Sequence, residues 1–347
     1  MPEFVIPQRV LGSSGIRVSE LCLGAMTFGT EWGFGADEST CRQIYDTYRE
    51  AGGNIVDTAN NYTDGASEEI VGRLIAPERD SIVLSTKFTL QTDPADPNSG
   101  GSHRKSLRRS VETSLRRLGT DYIDLLWVHA WDRSTAADET LRALDDLIRS
   151  GKVLALGVTN TPAWVISRST AVAELRGWSA FCALQVEYSL AARDAERDIL
   201  PMAQELGLAV CAWSPLARGL LTRDLADAQE TELPERLRRA RTALREVALE
   251  LGTTPARAAL SWVLHHRLMV SIGARTPEQL RDNLGAPAVS LDEEHLARLD
   301  AVSRVPLGYP YRFLEGLYER GSLPPPVPEP RRVVPRGRAL STVRAGE

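Results

Sequence analysis

The chain of 347 residues is short of several things that would decide its class at once. No apolar run approaches the roughly 18 residues that a membrane-spanning helix needs. The start, MPEFVIPQRV, has no basic stretch followed by a long apolar core. Neither membrane insertion nor export is expected, and the default location is cytoplasmic. Cysteine is scarce: Cys22, Cys41, Cys182 and Cys211 stand far apart with neither CxxC nor CxxH spacing, which indicates no disulfide framework and no metal site. Cys22, Cys182 and Cys211 lie in short apolar segments and read as buried packing. There is no surplus of positive charge either. Against 46 Asp plus Glu stand 41 Lys plus Arg, a net charge of −5, so nucleic acid is not an expected partner.

What is present suits a folded globular protein, with 43% apolar and 25% charged residues, far from the composition of disordered chains. The length fits two domains of about 150 residues or one large α/β barrel. The order of elements separates these. Short apolar runs at 21–23, 54–57, 82–86, 123–129, 153–159, 181–187, 209–212 and 269–272 read as eight strands. Between them, amphipathic stretches near 38–51, 67–75, 105–118, 137–150, 162–175 and 195–206 and a pair near 235–265 read as helices, and 277–284 follows the last strand.

Strict alternation with crossovers of this length requires parallel strands, and eight repeats without a break in composition predict a single (β/α)8 TIM barrel. A doubly wound dinucleotide-binding domain would carry a GxGxxG turn after its first strand. Gly24-Ala25-Met26-Thr27-Phe28-Gly29 does not supply one. Residues 8–19 read as an N-terminal β-hairpin turned at Ser13-Ser14-Gly15, closing the bottom of the barrel. One barrel unit is expected over 1–321, with the barrel proper at about 20–302 and a C-terminal segment at 303–321. The remaining 322–347, rich in Pro and Arg, reads as an extended or disordered tail.

In such a barrel the chemistry belongs to the C-terminal ends of the strands. The second strand closes with Asp57, followed by Tyr62 in DTANNY. The third closes on Lys87 in LSTKF, and the fourth on His129 in LLWVHAWD. A carboxylate, a phenol, an ammonium and an imidazole thus converge from three adjacent strands. The set suits proton transfer: the ammonium is expected to lower the phenol's pKa while the carboxylate keeps the ammonium charged. Tyr62 then serves as general acid toward a carbonyl oxygen, which His129 orients. Taken singly, Asp57 also reads as a helix-entry cap, Lys87 as a loop charge and His129 as a satisfied core histidine.

In these residues and the segments around them, the sequence resembles the aldo-keto reductases, in the branch of the aryl-alcohol dehydrogenases and potassium-channel β subunits. The segments LGSSGIRVSELCLGAMTFG, GGNIVDTANNY, LSTKF, DYIDLLWVHAWD, GVTN, QVEYS, AWSPLARGLLT and SIGARTPEQLRDNLG occur in the family's order from about Arg9 to Asn283. The resemblance implies a (β/α)8 barrel and places the family's catalytic tetrad on Asp57, Tyr62, Lys87 and His129. It implies a nicotinamide dinucleotide, usually NADPH. Thr159, Asn160 and Gln185 would hold the carboxamide, and Trp213 would stack on the ring. Ser214, Leu216, Arg218, Gly219 and Leu221 correspond to the pyrophosphate belt, and Gly273, Arg275, Gln279 and Asn283 to the adenosine end. A guanidinium at Arg275 suits a 2′-phosphate and favours NADPH over NADH; an exposed arginine near a helix start is the plainer reading of the same residue.

Many members have Gly directly after the tyrosine, whereas here Thr63-Asp64-Gly65 follows Tyr62, so the turn is expected to differ. The loop 89–103, rich in Pro, Asp, Ser and Gly, reads as mobile. Trp32, Phe34, Phe88 and Trp131 are the expected substrate-pocket walls and favour a planar or hydrophobic small carbonyl compound, with Tyr309 or Phe313 as further contributors from a segment folding over the mouth. The leading expectation is carbonyl reduction to an alcohol. Two other readings stand beside it: a cofactor-binding regulatory subunit with little turnover, and a barrel lyase using Lys87 as a Schiff-base amine. No stripe in the sequence predicts an oligomeric state.

Overall fold

The computed structural model describes residues 4–324. An antiparallel pair, β1 (Gln8–Val10) and β2 (Arg17–Ser19), opens the chain with Gln8 opposite Ser19. Eight parallel strands then close a barrel: β3 (Leu21–Gly24), β4 (Ile55–Asp57), β5 (Val83–Phe88), β6 (Ile123–Val128), β7 (Val153–Thr159), β8 (Ala183–Glu187), β9 (Ala209–Trp213) and β10 (Met269–Ile272). They pair in sequence order, and β10 returns to β3. The expected TIM barrel with an N-terminal hairpin is what the chain forms.

Helices follow the strands: α1 (Glu38–Glu50), α2 (Ala66–Ile75), α3 (Arg104–Leu118), α4 (Ala137–Arg149), α5 (Ala163–Arg176) and α6 (Ile199–Glu205). Then come α7 (Asp227–Glu232), α8 (Glu235–Glu250), α9 (Pro255–His265), α10 (Pro277–Leu284), α11 (Glu293–Ser303) and α12 (Tyr311–Glu319). The sixth helix begins four residues later than its apolar spacing predicts. Pro201 explains this, because proline fits only the first turn of a helix and clashes with a carbonyl four residues back. The helices α7, α11 and α12 have no counterpart in the sequence reading.

Strand alternation sorts the core into two layers. Val83, Leu125, Trp127, Ala155, Ala183, Ala209 and Met269 fill the barrel interior, joined from the hairpin side by Leu11 and Val18. Leu84, Leu126, Val128, Leu156 and Leu184 face the helices. Two glycines are dictated by this packing. A Cβ on Gly157 would lie 2.2 Å from the Trp127 ring opposite it in register, and one on Gly12, at φ +53°, would lie 2.0 Å from the Cys182 carbonyl oxygen. The hairpin therefore closes the N-terminal end of the barrel and leaves the C-terminal end for chemistry.

One compact unit runs over Met1–Arg304 and a second begins at Val305. In the second, Tyr309 and Phe313 are exposed at the start of α12. The tail read at 322–347 lies, from residue 325 on, outside the described residues.

Candidate active site

Register brings Asp57 of β4 beside Ser85 of β5, and the two-residue period that turns Ser85 inward turns Lys87 inward as well. The Lys87 ammonium donates to Asp57 Oδ2 at 2.5 Å and to the Thr58 carbonyl at 2.9 Å. Ser85 Oγ donates to Asp57 Oδ1 at 2.6 Å, and Gln185 Nε2 reaches across from β8 to Asp57 Oδ2 at 3.1 Å. The carboxylate thus has three side-chain donors in a dry site. Burial pushes the Lys87 pKa down, but the Asp57 charge and the Tyr62 oxygen outweigh it and the net shift is upward. Lys87 is a charged ammonium, which is the wrong form for attack on a carbonyl carbon.

Tyr62 begins a tight 3-10 turn, Tyr62–Gly65, just past β4. The Lys87 ammonium lies 4.9 Å from the centre of its ring. The His129 ring meets it edge-on at 6.0 Å, and the Trp32 ring at 6.4 Å. Burial raises the phenol's pKa more than Lys87 lowers it, so the net shift is opposite to the one anticipated from the ammonium alone. At neutral pH the phenol holds its proton.

His129 follows β6, with its backbone N–H on the Phe88 carbonyl at 3.1 Å and its carbonyl accepting from Asn160 Nδ2 at 2.9 Å. Burial first, and then the Lys87 charge, hold its pKa down to about 3, so the imidazole is neutral. Its buried Nδ1 has no hydrogen-bond partner among the described residues.

A further set of residues rims the same end of the barrel. Thr159 closes β7 with its hydroxyl buried and unpartnered, and Trp213 closes β9 with its indole N–H unpartnered, among the described residues. Ser214, Ala217, Arg218 and Gly219 then take φ of 50°, 50°, 55° and 83°, an irregular run of the kind that turns backbone N–H groups into an anion-binding concavity. Arg218 is exposed and Leu221 is buried below it. Beyond β10, the Arg275 N–H donates to Gln279 Oε1 at 2.9 Å, and Thr276 caps α10, on which Asn283 is buried. A Cβ on Gly273 would meet nothing of the protein nearer than 4.0 Å, so the protein's own packing does not require glycine there. Neither Arg218 nor Arg275 has an ion-pair partner among the described residues.

The belt after β9 is anchored from behind by a residue the sequence reading missed. Arg241 of α8 is fully buried, donates to the carbonyls of Leu220 and Arg223, and pairs with Glu230 at 2.7 Å. It is one of five arginines on that helix, and the signal that could have marked it is its place on the apolar stripe, four residues after Leu237 and three before Leu244.

The anticipated pocket walls divide. Trp32 and Phe34 face each other at 6.0 Å, beside Tyr62. Trp131 meets Trp164, a partner missed in the sequence, edge-on at 5.5 Å. Phe88 does not join them: next to inward-facing Lys87 it must point outward, and it is buried in the layer between strands and helices. The loop 89–103, expected to be mobile, is tied across itself and to its neighbours. Gly101 N–H donates to the Thr89 carbonyl at 2.7 Å, Arg109 pairs with Asp96 at 2.5 Å, and Ser102 N–H donates to Asp132 at 2.7 Å.

Comparison with known proteins agrees with this architecture. The sequence pattern of the aldo/keto reductase family matches residues 20–304. A norsolorinic acid reductase of Aspergillus flavus is 41% identical over 88% of this chain and 83% of its own length. An uncharacterized oxidoreductase of Bacillus subtilis is 39% identical over 86% of this chain and 96% of its own. An aryl-alcohol dehydrogenase of Pestalotiopsis microspora is 35% identical over 87% and 83%. With the barrel closed and the match running through all eight of its strands, this chain belongs to the aldo/keto reductase family and is an oxidoreductase of carbonyl groups.

Proposed function

We propose that this protein reduces aldehydes or ketones with NADPH, that Tyr62 donates the proton, and that its substrates are aryl carbonyl compounds. The observation that carries the proton assignment is the Tyr62 ring, its centre 4.9 Å from the buried Lys87 ammonium and edge-on to the His129 imidazole, with burial raising the phenol's pKa and lowering the imidazole's. Reduction of a carbonyl leaves a developing negative charge on oxygen. A nearby fixed ammonium favours that charge and the phenolate that follows proton donation. Asp57 keeps Lys87 charged through the cycle, and the neutral imidazole of His129, edge-on to the phenol, would hold the same oxygen.

The rim residues fit a dinucleotide. Thr159 and Trp213 offer buried polar groups without partners among the described residues, the irregular loop 214–219, left-handed at Ser214, Ala217, Arg218 and Gly219, suits phosphate oxygens, and Arg218 and Arg275 are cations with no ion-pair partner among the described residues. When bound, the reduced nicotinamide supplies the hydride. Thr159, Asn160 and Gln185 would hold the carboxamide, Trp213 would stack on the ring, and Ser214, Leu216, Arg218, Gly219 and Leu221 would hold the pyrophosphate. Gly273, Arg275, Gln279 and Asn283 would take the adenosine end, with the 2′-phosphate on Arg275. Trp32, Phe34 and Trp131 supply aromatic walls, in keeping with a relative described as an aryl-alcohol dehydrogenase.

Titration of NADPH against tryptophan fluorescence, followed by NADPH oxidation with aromatic aldehydes, tests the reading. Quenching with turnover is expected. Tight binding without turnover on any carbonyl would instead identify a cofactor-binding regulatory protein, and absence of quenching would remove the cofactor assignment.

A further inference from the structure

The three residues after Tyr62 are all left-handed: Thr63 at φ 45° and ψ 45°, Asp64 at φ 55° and ψ 23°, and Gly65 at φ 103° and ψ −11°. Glycine takes such values freely, but a β-branched residue is a rare outlier there, costing on the order of 1–2 kcal/mol. Thr63 nonetheless occupies the position and is fully buried. Something must hold it.

Its hydroxyl makes two hydrogen bonds, donating to the Phe28 carbonyl at 2.8 Å and accepting from the Ser67 N–H at 2.9 Å. The first ties the turn to the loop after β3 and the second to the first turn of α2. Ser67 is itself fixed, with its hydroxyl on the Ala25 carbonyl at 2.7 Å and 2.8 Å from Thr58 Oγ1. The surroundings make room for this side chain in particular. A Cβ on Gly29 would come within 3.0 Å of Thr63 Oγ1, so glycine at 29 leaves the space that Thr63 fills. One residue on, Asp64 Oδ1 accepts from the Trp32 indole at 3.3 Å, and that indole lies edge-on against Tyr62.

We propose that Thr63 is a positioning residue for the proton transfer: its hydroxyl latches the left-handed turn to Phe28 and Ser67 and thereby sets the Tyr62 phenol against Lys87 and His129. The inference rests on the reading of Tyr62 as proton donor. Neither hydrogen bond of the Thr63 hydroxyl reaches a residue assigned to the cofactor, so its loss is expected to act on turnover and leave cofactor binding alone. A displacement of about 1 Å in a reacting group is enough to cost about 100-fold in rate.

The test compares Thr63→Val, Thr63→Ser, Thr63→Gly and Tyr62→Phe, measuring kcat with saturating aromatic aldehyde, its KM, and NADPH affinity by fluorescence. Valine keeps the shape and removes the latch. We expect kcat to fall about 10- to 100-fold with NADPH affinity and KM within about twofold, and serine to restore kcat to within about threefold. Wild-type kcat in Thr63→Val would overturn the proposal. If Thr63→Val no longer binds NADPH, Thr63→Gly decides: glycine relaxes the backbone without a latch, so lowered kcat with intact binding supports the role and unchanged kcat overturns it. Tyr62→Phe separates the layers. Turnover retained in that variant defeats the proton assignment itself, whereas an inactive Tyr62→Phe beside a fully active Thr63→Val defeats only the latch.

Discussion

Lys87 Nζ and Asp57 Oδ2 are 2.5 Å apart, with the two side chains only 1% and 5% exposed. A pair this dry is costly to break from one side, because the surviving charge stays buried without its partner. Asp57→Asn keeps the shape and removes the charge. It is expected to lower unfolding free energy by about 3–5 kcal/mol, read from urea unfolding, and to depress turnover as Lys87 loses its counter-charge. A loss below about 1 kcal/mol would mean that the pair contributes far less than its burial implies.

The pH dependence follows from His129. Its pKa is held at about 3 in the folded protein against an ordinary value near 6.5, so between these values the unfolded chain binds the proton and the folded one does not. Stability is therefore complete above about pH 6.5 and is lost as pH falls toward 3, by about 1.4 kcal/mol per unit from this group. Reduction should show no limb near 6.5 from His129. A titration of the His129 ring protons with a midpoint near 6 would contradict the neutral imidazole.

Arg275 bears on the choice of cofactor. Its guanidinium is exposed and unpaired among the described residues, while its backbone is fixed by Gln279. Removing a charge-assisted contact to a phosphate costs about 1.5–3 kcal/mol. Arg275→Ala should weaken NADPH binding by about 10- to 100-fold and leave NADH within about twofold. Equal losses for both cofactors would place the side chain elsewhere than on a 2′-phosphate.

That Asp57, Lys87 and His129 come together with Tyr62 was legible because a barrel's strand ends are marked by where apolar alternation stops, and the three stand at those stops. Phe88 was misplaced for a reason the same alternation supplies: neighbours on a strand face opposite ways, so inward Lys87 sends Phe88 outward. The sign of the Tyr62 shift was not legible, since it depends on how much of the phenol is buried, and burial is a property of the closed site. Arg241 did carry a signal, since it stands four residues after Leu237 and three before Leu244 on the apolar stripe of α8. Trp164 was hidden, because it becomes part of an aromatic pair only when α5 brings it against Trp131. α11 carried a signal, with Asp292 capping His295 N–H and Leu296, Leu299 and Val302 at helical spacing.

The most direct test of the account is the steady-state reduction of an aromatic aldehyde by Tyr62→Phe, with NADPH affinity measured on the same preparation. The substitution removes one oxygen and its proton and leaves the ring between Trp32 and His129. Turnover is expected to fall by about 100-fold or more with NADPH affinity nearly unchanged. Turnover within a few fold of wild type would contradict Tyr62 as the proton donor.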